Sequence, residues 1–225
     1  MVGIILALDY EIDNSILKKL EYETLNNQKF YFSDDLVITF SGVGKVNATL
    51  AISNLINNFV IDEIYNIGSC GSANKNIEIK DVILINNSQY GDVDVSIDPK
   101  YKINQIPYEP KLFTSNPKIN KFLSSILEKL NINYKVGDFA TVDSFVTKQN
   151  FLKFNEIESS NILGIDMELV AIAQTCYHYN LPFGAIKIVT DNVKSDNNHD
   201  DFEKNVKEIS IITKNIVNEI LLKLI

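Results

Sequence analysis

VGIILALDYEID, residues 2–13, opens with an uninterrupted apolar run and ends among carboxylates. An apolar run of this length is too short for a core helix and reads as a strand buried on both faces, as in a parallel sheet. It has no basic flank and soon meets Asp9 and Glu11, so it reads neither as a signal peptide nor as a membrane span. Similar runs recur at Ile64–Ile67, Val82–Ile85 and Phe183–Val189. Amphipathic helices are expected between the strands. One runs from Val46 to Phe59, with Ala48, Ala51, Ile52, Leu55 and Phe59 on one stripe. A second begins with Asn116 as N-cap and Pro117 at the first helical position. A third starts near Met167 and runs to Tyr179, and the last extends from about Asp200 to the end of the sequence, with Phe202, Val206, Ile209, Ile216 and Ile220 in register.

Alternating strands and helices imply an α/β fold with a central, largely parallel sheet flanked by helices. The runs Lys29–Phe32 and Leu36–Phe40 add an antiparallel hairpin, which makes the sheet mixed. The 225 residues fit one domain, 1–225, without repeat or linker. Tyr90–Pro117 holds four of the five prolines and is the candidate for a long functional loop.

The net charge of -8 opposes nucleic-acid backbones and anionic membranes, so neither is an expected partner. No arginine occurs, so every basic side chain other than histidine is a Lys, and no guanidinium fork is available to grip an anion. Cys70 and Cys176 form no C-x-x-C pair, so neither a disulfide framework nor a zinc site is expected; the pattern suits a reducing cytoplasm. His178 and His199 lie in no metal-ligand spacing, and neither a metal nor a cofactor is anticipated.

Ligands of α/β sheets sit beyond the carboxyl ends of the strands, which directs attention to polar residues after apolar runs. Four places qualify: DYEID with Glu11, GSCGS with Ser69, DMELV with Met167 and Glu168, and TDN with Asp191. Each acid can also be read as a helix cap. Glu168 is the least easily explained so, because its flanks are apolar and an unpaired buried carboxylate is costly. GSCGS reads as a tight turn whose glycines admit positive φ. SGVGKVNAT fails as a P-loop because Thr39 stands where the first glycine is required and Val46 follows the Lys. Cys70 reads as a small buried residue.

These segments, with YNIGSCGSA, KDVILINNSQYGDVDV, DSFV, GIDMELVAIA, LPFGAIKIVTDN and a late Phe202, occur in an order that resembles the 5'-methylthioadenosine/S-adenosylhomocysteine nucleosidases of the purine nucleoside phosphorylase superfamily. The resemblance covers nearly the whole chain. It implies a nucleoside phosphorylase-like fold, a homodimer whose active site borrows apolar residues from the neighbouring subunit, and hydrolysis of an adenine thionucleoside to adenine and the thioribose. Carried over by motif, Asp191 protonates adenine N7, Glu11 orients or deprotonates the attacking water, and Glu168 binds the ribose hydroxyls. Ser69 and Met167 line the ribose and water site, Phe145 and Val146 frame adenine, and Val43, Pro107 and Phe202 form the alkylthio pocket.

The departures are Lys187 for the family's usual Arg, Thr190 for Ser, Cys70 for Ala and Asp166 for Glu, with Asp98 near the place of a usual aromatic. Lys187 and Thr190 remain candidate substrate-binding positions. The competing functions are a purine nucleoside phosphorylase, AMP or futalosine nucleosidases, and a catalytically silent nucleoside-binding protein. Missing arginine disfavours the phosphorylase, which must hold phosphate.

Overall fold

The computed structural model describes residues 1–154 and 161–224. Its strands are β1 (Val2–Leu6), β2 (Glu21–Leu25), β3 (Gln28–Phe32), β4 (Leu36–Phe40), β5 (Glu63–Ser72), β6 (Val82–Tyr90), β7 (Phe113–Thr114), β8 (Tyr134–Thr141), β9 (Ile162–Asp166) and β10 (Phe183–Asn192). Its longer helices are α1 (Lys45–Asn58), α2 (Pro117–Lys129), α3 (Leu169–Tyr179) and α4 (Asn198–Leu224).

The strands run β10-β6-β8-β9-β5-β1-β4-β3-β2, and β10 also pairs with β5. Five strands therefore close on themselves into a ring, and four more extend from it as a sheet. Pairing is mixed: β5 is parallel to β1 and β10, whereas β9 meets β5 antiparallel and β6 meets β10 antiparallel. The expected hairpin is present, with Phe30 opposite Thr39 and Phe32 opposite Val37.

The period of two along β1 divides the core. Val2, Ile4 and Leu6 pack with α2 and α4, whereas Ile5 joins Ala48, Ile52 and Leu55 of α1 and the buried stripe of α3. Each of these fully buried Ile and Leu side chains contributes about 1.5–3 kcal/mol over exposure. A Cβ on Gly3 would lie 2.9 Å from Leu55 Cδ2 and 2.7 Å from Ile64 Cδ1, so glycine sets how closely α1 approaches the sheet. Among the described residues no helix is long and apolar enough to cross a membrane.

One expectation is overturned. GSCGS does not turn: it completes β5, where Gly68 and Ser69 pair with Lys187 and Ile188, and Gly71 pairs with both Asp191 and Ile165. Two sets of strand partners hold the backbone extended, and positive φ among glycines falls instead at Gly42 and Gly44, just before α1.

The start of α2 follows its sequence signal. The Asn116 side chain accepts from the amides of Lys118 at 2.9 Å and Ile119 at 3.4 Å, with Pro117 at the first helical position. Asn116→Ala should lower unfolding free energy by about 1 kcal/mol while Asn116→Ser retains most of it, read from urea midpoints at unchanged slope.

Candidate active site

The chain turns back immediately after β1 in a short 3-10 helix, Asp9–Glu11, which delivers the Glu11 carboxylate to the end of the strand that precedes it. Oε2 accepts from the amides of Ala7 and Leu8, each at 2.9 Å, and Oε1 accepts from the Ser69 amide at 2.7 Å and from the Ser69 hydroxyl. Four donors thus fix a side chain that is 1% exposed. A Cβ on Gly68 would lie 3.0 Å from Glu11 Oε1 and 3.2 Å from Oε2. Glycine at 68 is therefore what leaves room for the carboxylate.

Glu168 stands at the N-cap position of α3, yet its side chain caps nothing. Asp166 does that work instead, accepting from the Leu169 amide at 3.0 Å and 3.3 Å through its two oxygens, and it also accepts from the Thr141 hydroxyl at 2.6 Å. Glu168 is thereby released towards the cavity, where Oε1 accepts from the Gly44 amide at 2.8 Å and Oε2 from the Met167 amide at 3.2 Å. The glycine-rich loop before α1 thus offers its N–H to a carboxylate.

Lys187 lies behind this group, 2% exposed, with Nζ 2.7 Å from Asp166 Oδ2. Burial opposes its charge, but Asp166, Glu168 and Glu11 outweigh burial and hold the ammonium above the usual lysine range. Burial acts on Glu168 in the other direction. Together with the negative charge of Asp166, and against the pull of Lys187 and the Gly44 amide, it pushes the Glu168 carboxyl up to about 8.

Asp191 sits within β10 where the register shifts after Val189, and is 3% exposed. The Thr190 hydroxyl lies 2.8 Å from Asp191 Oδ1 and 3.1 Å from the Cys70 carbonyl oxygen. Asn205, from the second turn of α4, donates to the Thr190 carbonyl at 3.0 Å and steadies this irregular strand end. A Cβ on Gly71 would come within 2.8 Å of Val193 Cγ1 and 3.2 Å of Asp191 Oδ2, so a second glycine of β5 makes room for the end of β10 and its carboxylate.

All three acids open onto one cavity of about 390 Å³. Ser69, Met167 and Thr190 line it beside them, as do Phe145 and Val146, which are adjacent in the chain, and Val43 and Phe202. The Phe145 and Phe202 rings meet edge to face at 5.9 Å. Lys187 and Pro107 do not line it, the former lying beneath its floor and the latter in the loop between β6 and β7. Sequence reasoning missed Tyr10, Val193 and His199, which do line it; His199 packs edge to face on Phe145 at 6.0 Å. Lone residues of these kinds carry no spacing signal. Cys70 is buried as expected, and burial holds its thiol well above the usual range. Among the described residues no three His, Cys, Asp or Glu side chains gather in a metal-holding group.

Residues 1–222 match the Phosphorylase superfamily. A 5'-methylthioadenosine/S-adenosylhomocysteine nucleosidase of Buchnera aphidicola is 34% identical over 99% of this chain and 97% of its own length. The chain belongs to the 5'-methylthioadenosine/S-adenosylhomocysteine nucleosidase family. An S-adenosylhomocysteine nucleosidase from Streptococcus pyogenes, solved with 5-methylthiotubericidin, superposes with a TM-score of 0.88 at 26% identity, covering 100% of this chain and 97% of that one. A Borrelia burgdorferi structure assigned to the same nucleosidases and bound to adenine gives 0.87 at 31% identity, over the full length of both. Two of the departures from the family pattern, Lys187 and Asp166, turn out to be bonded to each other. Thr190, a third, presents to Asp191 the hydroxyl that serine would also carry.

The raised Glu168 carboxyl has a consequence for stability. Its folded value of about 8 exceeds the ordinary 4.5, so the folded state holds the extra proton between them. The associated stability is fully present below about 4.5 and is lost as pH rises through about 8, at up to ~1.4 kcal/mol per pH unit. Urea unfolding of the ligand-free protein from pH 5 to pH 8.5 should show this decline, and Glu168→Gln should flatten it.

Proposed function

We propose that this chain hydrolyses the N-glycosidic bond of 5'-methylthioadenosine, S-adenosylhomocysteine or both, releasing adenine and the thioribose. The observation that carries the reading is the convergence of Glu11, Glu168 and Asp191 on one cavity with apolar walls. Adenine is a poor anionic leaving group, and the acid on β10, Asp191, supplies the proton to ring N7. Glu11, with the Ser69 hydroxyl beside it, holds and deprotonates the attacking water. Glu168 accepts from the ribose hydroxyls. As the base departs, positive charge grows on the sugar, and the Glu11 carboxylate beside it stabilises that charge better than it stabilises the neutral nucleoside.

Phe145 and Val146 frame the base, Met167 packs on the ribose, and Val43 and Phe202 receive the alkylthio group. In this reading Pro107 belongs to the apolar lining that a neighbouring subunit lends, since it stands outside the cavity of its own chain. The homodimer has support in α1, whose outward residues Val46 and Leu50 are exposed apolar side chains close in sequence to Val43. Two free, buried cysteines suit a cytoplasmic setting.

Phosphorolysis is the rival chemistry, and the charges disfavour it. Among the described residues no lysine lines the cavity, and Lys187 beneath it is already bonded to Asp166. A phosphate dianion entering there would meet the oxygens of Glu11 and Glu168 in place of the cations it needs.

Incubation with methylthioadenosine, S-adenosylhomocysteine, adenosine, inosine, AMP and futalosine, with and without phosphate, tests the reading. Adenine and free thioribose should appear from the two thionucleosides without phosphate. Ribose 1-phosphate formed only with phosphate would establish the phosphorylase instead, and nucleoside binding without turnover a silent binder. Asp191→Asn should cut kcat by roughly 10²- to 10⁴-fold, and wild-type turnover in that variant would remove Asp191 as the acid.

A further inference from the structure

Outside the cavity lining, three segments of the chain meet at one lysine. Lys45, the first residue of α1, places Nζ 2.6 Å from Asp92 Oδ1 and 3.3 Å from Asp143 Oδ2. The other Asp92 oxygen accepts from the Asp143 amide at 2.6 Å. Lys45 Nζ also stands 5.0 Å from the centre of the Tyr90 ring, and the Tyr90 hydroxyl donates to Gln174 of α3. The Lys45 and Asp92 side chains are only 14% and 20% exposed, so water screens this pair less than an ordinary surface pair.

What these residues adjoin gives the pair its meaning. Lys45 directly follows Gly44, whose amide holds Glu168. Asp143 directly precedes Ser144, Phe145 and Val146, which line the cavity. Asp92 lies two residues past β6, at the start of the long loop, and touches both neighbours at once. We propose that Asp92 is a positioning residue: by bridging the Lys45 ammonium and the Asp143 amide, it fixes the distance between the Glu168 anchor and the Phe145 segment.

This deepens the proposed nucleosidase reading and rests on it for the choice of substrate. Asp92 is in neither the acid nor the water machinery, so its loss acts on how well sugar and base are held together. Binding common to ground and transition states moves KM in preference to kcat. Small displacements of positioning groups change rates by up to ~10²-fold.

The test compares the parent with Asp92→Ala, Asp92→Asn, Lys45→Met, Lys45→Arg and the Lys45→Met/Asp92→Asn double variant, using methylthioadenosine turnover and amide hydrogen exchange. Asp92→Ala should raise KM roughly 10- to 100-fold with kcat within about three-fold, and exchange should quicken together over residues 43–46 and 143–147. Asp92→Asn keeps an acceptor for the Asp143 amide and should fall between; Lys45→Arg should keep KM near the parent's. The double variant should be no worse than Lys45→Met alone. A KM within two-fold of the parent in Asp92→Ala, or quickened exchange in only one segment, overturns the proposal. Should Asp92→Ala fail to fold, Lys45→Met is read by the same criteria. Absence of turnover in the parent itself counts against the nucleosidase reading, while exchange still decides the bridge.

Discussion

The site depends on the lack of side chains at two places in one strand. Strand β5 is paired with β10 from Ile64 to Ser72, with β1 over its first four residues and with β9 at its last two, so it runs extended past both acids. Omitting Cβ atoms leaves room beside it: Gly68 does so for Glu11, and Gly71 for Val193 and Asp191. The expected turn at GSCGS mistook the reason for glycine. These residues serve close approach in an extended strand, and the conformational freedom lies at Gly42 and Gly44.

Beneath the cavity, charge is distributed with similar economy. Asp166 caps α3, anchors Thr141 and pairs with Lys187, so the residue next but one along is spared for the cavity. A buried pair of this sort gives weak support to stability, because both ions lose their hydration. Its geometric effect is clearer: it joins β10, which carries Asp191, to the end of β9, two residues before Glu168.

Much of this was legible in the sequence where local chemistry and tertiary packing agree. Asn116 with Pro117 marked α2 correctly because a cap is a local device, and the apolar runs marked β1, β5, β6 and β10 because both faces of those strands are covered. β2 escaped notice because it is almost wholly exposed and has no apolar pattern, and β8 because its first half is polar and only its end is buried. The site acids were visible as candidates from their places after apolar runs, and only the family resemblance grouped them. Glu168 occupies a cap position without capping, and only the third dimension reveals that Asp166 has taken that role. Likewise, a lysine inside FGAIKIV requires a partner, but nothing in the chain's order says that it lies 21 positions earlier.

The closed ring of strands leaves the sheet with a single free rim among the described strands of its main path, β2. Glu21 and Glu23 stand exposed along it. A strand from a second molecule laid there would bring its backbone against these carboxylates, with each chain already carrying a net charge of -8. Acidic side chains on an edge discourage open-ended sheet extension, the usual start of fibrillar aggregation. The outermost strand therefore acts as a guard on the fold's solubility, at the opposite end of the sheet from the chemistry.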